Sequence, residues 1–246
     1  MAEHGHDASG DLLGDGWHGT MNYAGFTRQV WCWLRSPDFH ETFLGLPVEV
    51  PIFTGQQAVA SMRAFHARIP WRSLLSSWNI LGSHDTARIR TVVGTADRQI
   101  AALAMAVGLP GVPMIFAGDE IGMTGRWGED ARRPFPWHDE SSWDTEIASA
   151  YRELLTIRRD SRALATGGLR WLHAGNDALA FVREHPDESI LVVVARNQAE
   201  TVRLALSDLN AVKINHLFGF DAQVAAGQAV IDVPSAGAGV WRVEGV

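Results

Sequence analysis

The sequence predicts an α/β protein: a parallel sheet covered by helices, followed by a smaller antiparallel β unit. Over residues 1–164, short apolar runs alternate with segments of helical period, the signature of strand–helix units. Those runs are apolar at successive positions, as strands buried on both faces must be. From residue 165 to residue 246 the pattern changes to short β-branched runs separated by turn formers, which reads as an all-β unit.

The first stretch, MAEHGHDASGDLLGDG, is rich in Gly, Asp and Ser and reads as a loop. It has neither the basic segment nor the apolar segment of a signal peptide. It is dense in chemically capable side chains: Glu3, His4, His6 and Asp7. TMNYA (20–24) reads as a short strand and FTRQVWCWLR (26–35) as a helix. In GQQAVASMRAFHAR (55–68), Ala58, Val59, Met62 and Phe65 share one helical face. LSSWNILG (75–82) reads as a buried strand ended by glycine. TADRQIAALAMAVG (95–108) opens on a Thr cap and stops at Gly108, a helix. VPMIFAG (112–118) is a second buried strand, and TEIASAYRELLTIRRD (145–160) an amphipathic helix carrying Leu154, Leu155 and Ile157. In the β unit, strands are predicted at 168–173, 178–183, 189–195, 201–206, 228–233 and 238–243.

Composition removes several function classes. The chain has 246 residues and a net charge of −7, which argues against nucleic acid. No run approaches the roughly 18 apolar residues of a membrane helix. Cys32 is the single cysteine, so no internal disulfide forms, and a small buried hydrophobe is its expected role. Ten Trp stand against two Tyr. An excess of Trp serves cores and sugar stacking alike.

In parallel α/β folds chemistry sits beyond the C-terminal ends of the strands. LGSHDTARIR places His84 and Asp85 there, and Asp119 and Glu120 follow the next strand at the same end. Each pair has a plainer reading: Asp85 as the cap of a following helix, and Asp119–Glu120 as a charge pair at a helix N-terminus. His4 and His6 lack a third ligand at a sensible spacing, so no metal site is expected from them. RWGEDARRPFPWHD (126–139) is either a solvated loop or a substrate-facing one.

These segments, in this order, resemble the alpha-amylase family of glycoside hydrolases, most closely its neopullulanase and cyclomaltodextrinase-like members. WNILGSHDTARIR is similar to the stretch after the seventh barrel strand, and GVPMIFAGDEIGMTGRWGEDARRPFPW to the eighth strand and its loop. AEHGHDASGDLLGDGWHGTMNYAGF is similar to the end of the fifth strand leading into the sixth. YRELLTIRRDSRALATGGLRWL is similar to the last barrel helix entering the C-terminal β domain.

The resemblance implies the second half of a TIM (β/α)8 barrel, from the end of strand five to helix eight, followed by a small antiparallel β-sandwich. It implies that Glu3 is the general acid/base, that Asp85 is the carboxylate binding hydroxyls of the sugar being cleaved, and that His84 binds the same sugar. His4, Trp127, Arg133 and Trp137 complete the candidate substrate-binding set. A general acid must hold its proton near neutrality, and an ionised carboxylate nearby favours that. Hydroxyl contacts that tighten at an oxocarbenium-like transition state lower the barrier.

The family takes its nucleophilic Asp from a Gly-x-Arg-x-Asp type stretch that precedes the Glu, and no segment of this chain matches it. The expected reading is a C-terminal half whose nucleophile lies elsewhere, with Met1 inside a functional motif and not at the true start. The expected partner is an α-glucan or maltooligosaccharide, with neither nucleic acid nor membrane. Self-association through open barrel edges, or pairing with an N-terminal half, would cover the exposed strands. No cofactor is required of this chain, and calcium in full-length relatives would draw its ligands largely from the other half. The alternative function is a non-catalytic carbohydrate-binding or degenerate fragment.

Overall fold

In the computed structural model, which describes residues 1–43 and 48–245, the parallel part begins at the second residue. Ala2 bridges Thr20, Met21 bridges Trp78, and strand β1 (Trp78–Ile80) pairs with β2 (Val112–Met114), every pairing parallel. The hydrogen bonds run Met21 N to Ala2 O (2.9 Å), Trp78 N to Thr20 O (2.8 Å) and Val112 N to Ser77 O (2.8 Å). Four extended segments therefore lie side by side in chain order. Their C-terminal ends point the same way, which brings the residues after each to one rim.

The strands are shorter than the sequence predicts. Only Thr20 and Met21 of 20–24 are extended; Asn22 then accepts from Gly25 N and caps a π-helical turn, Tyr23–Thr27, that runs into α1 (Arg28–Leu34). Of the predicted strand 75–82, β1 keeps Trp78–Ile80, because α3 (Trp71–Ser76) claims the start. Leu74 belongs to a small core with Leu12, Phe65 and Ile69, and Ser73 Oγ donates to Leu12 O at 2.8 Å. The local tie to the N-terminal loop outweighs extension of the strand. β2 ends at Met114, and Gly118 turns the chain with φ +104, a left-handed conformation open to glycine.

The helices follow their caps. α2 (Gly55–His66) opens on a reciprocal box in which Thr54 Oγ1 accepts from Gln57 N and Gln57 Oε1 accepts from Thr54 N. The predicted face Ala58, Val59, Met62 and Phe65 is the buried one. α4 spans Ile89–Val93. α5 (Ala96–Gly108) starts at the Thr95 cap and is buried from Gln99 to Gly108. α6 spans Gly128–Ala131, α7 spans Thr145–Arg159 behind an Asp144 cap, and α8 spans Arg162–Thr166. Trp31, Trp33, Phe26 and Met62 are fully buried. Cys32 is buried as expected, which pushes its thiol up to about 12 and leaves it unreactive.

Beyond α8 the chain is strands: β3 (Gly168–Ala174), β4 (Ala178–His185), β5 (Glu188–Ala195), β6 (Ala199–Ala205), β7 (Ala211–Gly219), β8 (Ala222–Ala225), β9 (Gln228–Val233) and β10 (Gly237–Gly245). They form two antiparallel sheets, ordered β3-β4-β5-β10-β7 and β6-β9-β8. One apolar core, with Val182, Leu191, Val193, Val202, Ile231 and Trp241, joins the two sheets. The sequence reading lacks β7 and β8, since AVKINHLFG mixes polar and apolar residues without clean alternation.

The opposite face of the larger sheet joins α5 in the main core, through Phe181, Val192, Val194 and Val240. A Cβ on Gly108 would stand 2.8 Å from the Phe181 ring, so glycine permits this approach. Two guanidiniums seal the seam. Arg183 donates to Gly108 O (2.7 Å), Gly167 O (2.7 Å) and Gly168 O (3.0 Å), and Arg158 donates to Val107 O (3.0 Å) and Gly111 O (2.6 Å). The carbonyls at the C-terminus of α5 lack intrahelical donors, and cations suit that end. Burial pushes both guanidiniums below their usual range.

His66, at the end of α2, is partly buried, and desolvation lowers it from 6.5 to about 4. The folded protein therefore binds this proton less readily than the unfolded chain. The associated stability is full above pH 6.5 and is lost as pH falls through the window down to about 4. Urea midpoints across that window are expected to fall more steeply for the native chain than for His66→Gln. Parallel curves would contradict this.

Candidate active site

The rim of the parallel segments brings together three of the predicted residues, Glu3, His84 and Asp85. Glu3 follows the Ala2 bridge directly, held by Ala2 N donating to Gly19 O at 2.8 Å. After β1, a tight turn presents His84 and Asp85. Ser83 N donates to Thr86 Oγ1 (2.9 Å), Thr86 N to Ser83 O (3.2 Å) and Asp85 N to Ser83 Oγ (3.1 Å). The turn satisfies its own backbone without drawing on the Asp85 carboxylate. Asp85 caps no helix: α4 begins four residues on, behind Arg88, without a side-chain cap.

Donor atoms of Glu3, His84 and Asp85 all lie within 4.8 Å of one another. His84 Nε2 stands 3.4 Å from Asp85 Oδ1, and both side chains are about half exposed, at 53% and 43%. The cluster is open to solvent and to a ligand. Two carboxylates and an imidazole so placed can exchange protons and accept from hydroxyl groups.

Three residues outside the predicted set complete this geometry. Arg132 donates through Nε to His84 O (2.8 Å) and through Nη2 to Asp85 Oδ1 (3.1 Å), fixing both backbone and carboxylate. Tyr23 Oη lies 2.7 Å from Ser83 Oγ beneath the turn. Burial pushes its phenol up, and the negative charges of Asp85 and Glu3 add to that rise. Gly128 packs against the His84–Asp85 backbone, where a Cβ would stand 3.0 Å from His84 O and 3.2 Å from Asp85 Cα. Arg132 lies inside the ARRPFPW run already singled out, one position from the residue chosen there. Tyr23 and Gly128 carry no local signal, since each matters only through a contact across the fold.

The other predicted residues make contacts of their own. His4 pairs with His6, Nδ1 to Nε2 at 3.2 Å, with ring centroids 4.6 Å apart. Arg133 turns to Asp130, Nη2 to Oδ1 at 2.5 Å, and makes no contact with Asp85. Trp127 is 52% exposed and Trp137 70% exposed. The Trp137 ring rests on Phe135, centroids 4.3 Å apart, with Trp143 edge-on to Phe135 at 5.7 Å.

Asp119 and Glu120 divide. Glu120 accepts from Gly118 N at 2.6 Å at the start of a short 3₁₀ turn, Asp119–Ile121. Asp119 is instead buried, 2.9 Å from Arg88 Nη1, with both side chains 2% exposed. Desolvation pushes the Asp119 carboxyl up, and the guanidinium pulls it down. Arg88 also donates to Ala131 O (2.9 Å) and lies over the Phe116 ring, 4.2 Å from its centroid. This pair ties the loop after β2 to the turn after β1.

Parallel segments delivering carboxylates to one rim, followed by antiparallel sheets, define a class: α/β proteins with a C-terminal β domain. Residues 50–167 match the family model for the catalytic domain of alpha amylase, and residues 169–239 that for the C-terminal domain of maltogenic amylase. The chain is 33% identical over 231 residues to an amylopullulanase of Thermoanaerobacter thermohydrosulfuricus, covering 83% of this chain and 15% of that protein. It is 32% identical over 208 residues to neopullulanase 2 of Thermoactinomyces vulgaris, covering 82% of this chain and 33% of that one. A debranching enzyme from Nostoc punctiforme, crystallised and soaked with acarbose, superposes with a TM-score of 0.81 at 25% identity, over 97% of this chain and 49% of that one. The chain belongs to the alpha-amylase family. It spans about half the length of that solved enzyme and a smaller share of the amylopullulanase and neopullulanase.

The calcium implied for full-length relatives does not fit the donors here. Calcium takes about 6–8 oxygen ligands. Among the described residues, the one cluster of three acidic or imidazole donors offers two carboxylates and a nitrogen.

Proposed function

We propose that the chain carries part of the active site of an alpha-amylase-family glycosidase that cleaves α-linked glucans with retention. The observation that supports this most directly is the meeting of Glu3, His84 and Asp85 within 4.8 Å at the rim. Glu3 protonates the glycosidic oxygen as the bond to the leaving sugar breaks, and later takes a proton from the attacking water. Asp85, held by Arg132, and His84 bind hydroxyls of the sugar whose ring flattens toward the oxocarbenium ion. The reaction also needs a nucleophilic carboxylate about 5–5.5 Å from the acid. We assign it to the part of the enzyme outside this sequence, which also completes the barrel and covers the edges at Ala2 and β2. The portion present runs from the end of strand five to helix eight, with a partial barrel over 1–164 and an all-β domain over 165–246. The family models, which meet between residues 167 and 169, support a division near that point. These roles draw on side chains alone and ask no cofactor of this chain.

Trp127, Trp137, His4 and Arg133 stand as outer contacts to the glucan. The exposed Trp137 ring on Phe135 is a platform of the kind on which sugar faces stack, and it favours a second reading: glucan binding without cleavage.

Maltooligosaccharide cleavage by the purified chain, alone and mixed with a separately expressed N-terminal half of a matched cyclomaltodextrinase, separates the two. Cleavage confined to the mixture supports the catalytic reading. Glucan binding by the folded chain, with no cleavage in either case, leaves the binding reading.

Gly128→Ala probes the geometry. The added methyl must push the His84–Asp85 backbone by a few tenths of an ångström. Misplacement of that size is expected to lower kcat/KM of the completed enzyme about tenfold, with the melting temperature little changed. Unaltered kinetics would show that the turn tolerates the shift.

A further inference from the structure

The loops that carry Glu3 and Asp85 are both tied to one short segment, the π-helical turn Tyr23–Thr27 and the first residue of α1. At its start, Tyr23 Oη lies 2.7 Å from Ser83 Oγ, which also accepts from Asp85 N at 3.1 Å. At its end, the half-buried Arg28 donates through Nη2 to Gly5 O, in the loop that follows Glu3. The buried Phe43 ring touches both side chains. It meets the Tyr23 ring edge-on, with centroids 5.8 Å apart, and its centroid lies 5.0 Å from Arg28 Cζ.

The π-turn is what puts Tyr23 and Arg28 together. In an α-helix, residues five apart stand about 140° apart around the axis. Here Arg28 N donates to Tyr23 O, the i→i+5 bond of a π-turn, and the wider coil brings the two residues toward one face. The neighbouring residues lock that turn. Asn22 Oδ1 accepts from Gly25 N at 3.1 Å, and a Cβ on Gly25 would run into the Phe65 ring and Asn22 Oδ1. Thr27 Oγ1 donates to Ile80 O at 2.8 Å, which fixes the turn to the end of β1, just ahead of Ser83.

We propose that this π-turn is a bracket that sets the spacing of Glu3 and Asp85, with Arg28 the positioning residue for the Glu3 loop and Tyr23 that for the Asp85 turn. The inference rests on the glycosidase reading of those two carboxylates. Acid and sugar-binding group act together only when both are held close to the productive geometry, and a common support holds them so.

Two measurements test the bracket. The first reads backbone amide order parameters by NMR relaxation in the full chain alone. Arg28→Met keeps an apolar stem against Phe43 and removes the donor. Order at Gly5 and His6 is then expected to fall from about 0.85 to below about 0.6, with Asp85 and Thr86 unaffected. Tyr23→Phe, which removes only the hydroxyl, is expected to loosen Asp85 and Thr86 and to leave Gly5 and His6 as they are. Arg28→Lys, which restores a donor, is expected to recover part of the order at Gly5. Unchanged order at Gly5 in Arg28→Met, or loosening spread over the whole chain, would overturn the proposal.

The second compares two substrates by single-turnover kinetics in the enzyme completed with an N-terminal half. Arg28→Met acts through the acid. Its first step on maltooligosaccharides is expected to slow about tenfold, with that on α-maltosyl fluoride, whose leaving group needs no proton, nearly spared. Tyr23→Phe acts through Asp85 and is expected to slow both alike. Equal losses on the two substrates in Arg28→Met, where Glu3→Gln shows the selective loss, would overturn the bracket. Absence of selectivity in Glu3→Gln itself faults the acid assignment instead, and the order parameters then decide the bracket on their own.

Discussion

Glu3→Gln is expected to lower kcat of the completed enzyme on maltooligosaccharides by about 10²–10⁴-fold, with KM little altered. Glutamine keeps the shape and loses the proton that the departing sugar oxygen needs. The strand that carries Glu3 is held by backbone bonds, Ala2 N to Gly19 O and Met21 N to Ala2 O, which the substitution leaves intact. The measurement that isolates the acid role compares two substrates. An α-maltosyl fluoride has a leaving group that departs without protonation, so its first step should be far less affected than cleavage of a sugar–sugar bond. Equal losses in that first step on both substrates, read by single-turnover kinetics, would contradict the assignment of Glu3 as the acid.

Arg88→Ala is expected to destabilise the fold by about 3–5 kcal/mol, read as a shift in the urea midpoint. The reason is what it leaves behind. Arg88 and Asp119 are both 2% exposed and 2.9 Å apart, so removing the guanidinium strands a carboxylate in an apolar interior. The same change removes the donor to Ala131 O and the cation over Phe116. Because Ala131 neighbours Arg132, the loop that steadies Asp85 loosens as well. Replacing both charges with apolar residues of similar volume, Arg88→Met with Asp119→Leu, should recover most of the stability, since a buried pair contributes little beyond its own desolvation. A single Arg88→Ala variant as stable as the native chain would show that Asp119 takes up its proton or finds other donors at little cost.

Much of this was legible along the chain. The helices at 55–66, 96–108 and 145–159 follow from apolar residues at helical spacing and, for the second, from the Thr95 cap; the structure adds caps at Thr54 and Asp144. These signals are local and are read within a few residues. Family resemblance, carried by AEHGHDASGDLLGDGWHGTMNYAGF for Glu3 and by WNILGSHDTARIR for His84 and Asp85, points to these three residues from the sequence.

Tertiary structure decided the remainder, because the deciding contacts join residues distant in sequence. Leu75 and Ser76 read as strand until the packing of Leu74 on Leu12 and Phe65 carries the helix through them. Asp119 reads as a helix-end charge until Arg88 takes it into the core. Arg132 and Arg133 are equivalent as sequence neighbours. Only the path of the loop sends one to Asp85 and the other to Asp130. Local periodicity and capping depend on side-chain shape and hydrogen bonding over one or two turns, so the sequence by itself determined the elements and their order. Which carboxylate is buried, which is presented, and which guanidinium holds it depend on desolvation and close approach across the fold, and those exist only once the parallel segments have met.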